Sequence, residues 1–169
     1  MFEEVVTREL NSLYQGALFL CAGSRETAEE LLERCLSEAF AAYPRDGLDE
    51  EEARRWLEGR LACAHVQRRP AGEPGGAAAS CRPMDPPPSS ADLESLAPDA
   101  LFHGARVVPA HARLAIWLVH FCRWSYQDAA DVLQVERGVL RRLLTYRHAL
   151  IRAVLGAPAG GRFPRESGR

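Results

Sequence analysis

Apolar positions in the first part of the chain repeat every three or four residues, the period of a helix with one buried face. From Phe2 to Cys21 they are Val6, Leu10, Leu13, Ala17 and Leu20. Gly23 is placed to end this helix, and Ser24 to cap the next. The second stripe is the clearest in the protein: Ala28, Leu31, Leu32, Cys35, Leu36, Ala39, Phe40 and Tyr43, broken by Pro44 and Gly47. Asp49 with Glu52 three residues on predicts a capping box for a third helix. Its inner face is Ala53, Trp56, Leu57, Leu61 and Ala64, and Pro70 stops it. Three amphipathic helices with short connections predict a small bundle.

The pattern lapses after Pro70. GEPGGAAAS and DPPPSS have little capacity to bury surface and read as a linker. Residues 91–104 hold a weak apolar pattern (Leu93, Leu96, Leu101, Phe102) that supports no firm assignment. Val108-Pro109 then opens a helix from Ala110 to Cys122 that is apolar on most sides and belongs at the centre of a second unit. Ser125 caps a short helix ending near Leu133, and a longer one runs from Arg137 to Leu155, closed by Gly156 and Pro158. The predicted fold is all-α, with two small helical domains at 1–69 and 108–155. A flexible linker at 70–107 joins them, and a disordered tail occupies 156–169.

The stretch SYQDAADVLQVERGVLRRLLTYRHAL has helix-turn-helix patterning. Ala130 is small enough for two helices to cross, Ala129 and Leu133 face inward, and Val135 plugs the turn. Leu140 and Leu144 hold the second helix against the first. That leaves Arg137, Arg141, Arg142 and Thr145 outward on a helix of a size that fits the major groove, where arginine binds guanine through two hydrogen bonds.

Charge sharpens this picture. All 21 basic residues are arginine, and the net charge is −2. Residues 1–69 carry 9 arginines against 14 acids, whereas residues 108–155 carry 7 against 3. Only the later segment is suited to a polyanion. Five cysteines, odd in number and without a close pair, argue against a disulfide framework. Cys63 and His65, two apart on a helix, diverge, and a structural zinc site needs four convergent ligands. No metal or cofactor is expected, and no nucleophile, acid and base are brought together by spacing, so no enzyme is expected. An acidic N-terminus and a longest apolar run of only Leu114 to Val119 predict a cytoplasmic protein with no membrane association.

Taken together, the two segments resemble bacterial RNA polymerase sigma factors of the extracytoplasmic-function type. In that family a Leu-Pro opens an apolar helix, followed by Ser-Tyr and the helix-turn-helix; here these are Val108-Pro109 and Ser125-Tyr126. AEELLERCLSEAF, from Ala28 to Phe40, matches the family's core-binding helix, and Trp56-Leu57 precedes a helix ending in Arg68-Arg69 as it does there. The resemblance covers about two thirds of the chain, in the family's order and spacing.

It implies that Glu29, Glu30, Glu33, Arg34 and Glu38 dock on core RNA polymerase. It implies that Arg54, Arg55, Trp56, Arg68 and Arg69 act at the −10 element of promoter DNA, and that Arg137, Arg141, Arg142, Thr145 and Arg147 act at the −35 element. An anti-sigma protein is a further implied partner. The chain departs from the family at Gln134, which stands where a glycine usually makes the turn, and in its four acids from Asp49 to Glu52. Two alternatives stand beside this reading. One is a sigma-like regulator that binds an anti-sigma or other partner without opening promoters. The other is a plain helix-turn-helix regulator.

Overall fold

The computed structural model describes residues 2–44, 48–68 and 97–155, and every regular element among them is helical. Helices α1 (Phe2–Leu20), α2 (Arg25–Ala42) and α3 (Glu50–Gln67) pack pairwise on one another. Leu13, Ala17, Leu20, Leu31, Cys35, Leu57 and Leu61 are buried between them, largely the stripes that the spacing predicts. Leu10 and Phe40 depart from it. Phe40 is 68% exposed at the end of α2 and meets only the edge of Phe2, with ring centroids 5.7 Å apart.

Local hydrogen bonds set the helix ends. The Asp49–Glu52 capping box is complete, with the Glu52 N–H donating to Asp49 at 2.8 Å and the Asp49 N–H donating to the Glu52 carboxylate at 3.1 Å. Gly23, at φ 81°, turns the chain after α1, and its N–H donates to Leu18 O at 2.8 Å. Ser24 occupies the cap position of α2, but its hydroxyl donates to Thr27 Oγ1 at 2.9 Å and caps no backbone N–H.

Residues 91–104, for which the sequence supports no assignment, contain the start of α4 (Pro98–Ala105). The segment read as a linker is therefore helical over its last part. Eight residues are too few to signal a helix without a packing partner. The partner is α8 (Arg147–Leu155), which approaches so closely that a Cβ on Gly104 would lie 2.7 Å from Val154 Cγ2. Residues 69–96, with Arg69 and Cys81, and the tail 156–169 lie outside the described residues.

Helix α5 (Ala110–Ile116) continues into a π-helical turn (Trp117–Phe121), whose wide ring closes with Cys122 N–H donating to Trp117 O at 3.0 Å. Then follow α6 (Tyr126–Leu133) and α7 (Arg137–Leu144). The single helix expected from Arg137 to Leu155 is two. The chain breaks at Thr145 and Tyr146, whose N–H groups reach back three residues, to Arg142 O and Leu143 O. The Thr145 hydroxyl also donates to Arg142 O, at 2.7 Å, competing with the helical pattern there.

The two segments share one apolar core. Trp117 lies over Gly16 of α1, where a Cβ would meet its indole at 2.7 Å. Phe19 meets Phe121 with centroids 5.4 Å apart. Arg113 ties the segments by donating to Leu20 O (2.9 Å), Ala105 O (3.2 Å) and Val108 O (2.6 Å). No helix among the described residues is long and apolar enough to cross a membrane.

Candidate nucleic-acid interface

The first of the two short helices, α6, begins at Ser125. Its hydroxyl accepts from the Asp128 N–H at 3.1 Å and donates to the Asp128 carboxylate at 2.8 Å. Ala129, Ala130 and Leu133 are buried on its inner face. It ends at Gln134, which adopts φ 54° and ψ 43°, and the Val135 N–H then donates to Ala130 O at 3.0 Å. This left-handed residue reverses the chain into α7, whose Leu140 is fully buried and which packs on α5 and α6.

Burying Leu140 leaves the opposite face of α7 to solvent. Arg137, Arg141 and Arg142 are exposed there, and their guanidinium groups make no hydrogen bond or ion pair with the described residues. Gly138 lies among them, and a Cβ at that position would meet nothing within 4 Å. The surface is thus an open, cationic helix face. Nearby acids are engaged elsewhere: Asp131 accepts from Gln127 at 2.8 Å, and Asp128 holds Ser125.

Thr145 and Arg147 do not extend this face as a continuous helix would. Thr145 is exposed at the break, with its hydroxyl proton committed to Arg142 O. Arg147 is half-buried on α8. Burial first, then Arg147 and Arg123, hold the His120 imidazole below its ordinary pKa.

The residues expected to face polymerase are largely drawn into the α2–α3 seam. Arg34 donates to Glu38 at 2.9 Å and to Gln67 at 2.8 Å, and Arg60 donates to the same Glu38 at 3.3 Å. Glu30 receives Arg68, which also donates to Thr27 O. Glu29 and Glu33 are exposed.

Of the residues expected at the −10 element, Arg54 is exposed, and Trp56 is half-buried with its ring 5.7 Å from that of Tyr43. Arg55 reaches across to the second segment, 3.4 Å from Asp128 and 5.6 Å above the Trp124 ring.

Sequence reasoning passed over the pair beneath Arg55. Glu58 is 7% exposed and accepts from the Trp124 indole N–H at 2.7 Å. Burial raises its carboxyl pKa against the opposing pull of Trp124, Arg54 and Cys122. The partners lie 66 residues apart, so no local spacing signals them.

The chain matches no protein-family model and no curated protein at a significant level.

Proposed function

We propose that this chain is a sigma-type initiation factor of the extracytoplasmic-function kind, acting in the cytoplasm to bring core RNA polymerase to promoter DNA. One observation carries the reading: Arg137, Arg141 and Arg142 stand exposed on α7 while its other face is anchored by Leu140. On this reading α6, the Gln134 turn and α7 form a helix-turn-helix. The α7 helix enters the major groove, and its arginines reach base edges and phosphates of the −35 element. Each good base contact adds about 1–3 kcal/mol of discrimination. The factor catalyses no reaction and needs no cofactor.

Run-off transcription with purified core polymerase tests the proposal. Arg141→Ala is expected to weaken promoter use while leaving the core complex intact in pull-down. Failure of the parent chain to form any core complex would sink the reading. An equal loss of both activities in Arg141→Ala would make that arginine structural.

A second reading is favoured by the ion pairs of the α2–α3 seam and by Arg55 on Asp128. With these surfaces engaged within the chain, the protein would occupy an anti-sigma or other regulatory partner without opening promoters. Core binding without run-off product, together with capture of such a partner, would favour it.

A further inference from the structure

A cleft of about 390 Å³ lies where α1, α2, α3 and α5 meet. Leu20 and Leu114 supply apolar wall, and His65, His111, Arg68 and Arg113 supply the polar part. No carboxylate is among the residues that line it. The volume falls within the range of small-molecule sites, roughly 300–1,000 Å³, and is too small for a docked helix.

The four cationic or imidazole groups differ in what they can still do. Arg113 is spent on three backbone carbonyls and contributes mainly field. Arg68 holds Glu30 and Thr27 O and forms part of the wall. His65 lines the cleft and makes no hydrogen bond with the described residues. Its surroundings resist positive charge: burial first, then Arg113, His111 and Arg68, push the imidazole down to about 4. Such a site lacks an anion. One bound against His65 would relieve the repulsion and give the ring a partner.

We propose that this cleft binds a small organic carboxylate, with its apolar body against Leu20 and Leu114 and its charge facing His65, His111 and Arg68. The proposal is independent of promoter binding. Because the walls come from helices of both segments, the ligand would stabilise their packing by mass action.

Naphthoate and uncharged naphthol, titrated into the full chain by calorimetry at neutral pH, separate charge from shape. Naphthoate is expected to bind saturably, with naphthol about tenfold weaker, as loss of one charge-assisted contact implies. Proton uptake on binding and an upward move of the His65 titration by NMR would place the carboxylate beside that ring. His65→Phe, which keeps the ring volume, should abolish the proton uptake and weaken naphthoate selectively. Ala110→Trp, in the cleft wall, should exclude both probes.

The proposal is overturned if the folded chain binds no naphthoate at millimolar concentration, or if naphthol binds equally well. It is overturned equally if both variants bind naphthoate as the parent does, which would put the probe elsewhere. If Ala110→Trp does not fold, His65→Phe decides alone.

Discussion

Gln134 holds a backbone conformation, φ 54° and ψ 43°, that crowds Cβ against the following carbonyl. That crowding costs an ordinary residue about 1–2 kcal/mol, whereas glycine avoids it and loses roughly 0.5–1 kcal/mol in chain entropy. Gln134→Gly is therefore expected to match the parent or exceed it slightly in denaturant unfolding. Gln134→Val, stiff at χ1, should fall about 1–2 kcal/mol below. If valine were tolerated as well as glycine, the turn would have another geometry in solution. His65 makes a second prediction at this scale. Its folded pKa, about 4, lies below its ordinary 6.5. The stability it contributes is present above pH 6.5 and is lost as pH falls from there toward 4, by up to about 3 kcal/mol. Thermal melts across that window should show the loss, and His65→Phe should flatten the curve. Desolvated His120 acts in the same direction, so the comparison with the variant is what isolates His65.

Among the helices, the contact of α3 with the chain before α6 depends on a buried carboxylate held by an indole. Glu58→Leu removes the acceptor and leaves the Trp124 N–H inside without a partner, which should cost about 1–3 kcal/mol. Glu58→Gln keeps an acceptor and removes the charge. A raised folded pKa means that the native state prefers the proton, so the parent loses stability as pH rises through the carboxyl range. The glutamine variant should therefore be at least as stable as the parent above neutral pH, by chemical denaturation. The contrast between this pair and the caps shows what was legible. The Asp49–Glu52 box and the Ser125 cap are hydrogen bonds between residues three apart, and sequence spacing foretells them. The α7 face was legible for the same reason, since helical periodicity alone puts Leu140 opposite Arg137 and Arg141. Glu58 with Trp124, helix α4 against α8, and the use of Arg34, Glu38 and Arg68 between α2 and α3 depend on residues distant in the chain. The break at Thr145 was hidden because the apolar period runs on through it.

Across the whole molecule, Arg113 joins the end of α1 to the turn between α4 and α5 through three carbonyl oxygens. Arg113→Met keeps much of the apolar stem and removes all three donors. We expect a loss of about 2–4 kcal/mol, at the upper range for a broken network of hydrogen bonds. A loss below 0.5 kcal/mol, typical of surface changes, would mean that the two segments are not held together there in solution. The π-helical turn from Trp117 to Phe121 has a consequence on the same scale. Such a turn holds one residue more than an α-helix would in that place. Deleting Val119 would let the coil rewind and swing all that follows by about 100° around the axis. Trp124 would leave Glu58, and the cationic surface of α7 would point somewhere new. The heading of that surface is thus set by a single supernumerary link upstream, and shortening the chain there would act on it like turning a key.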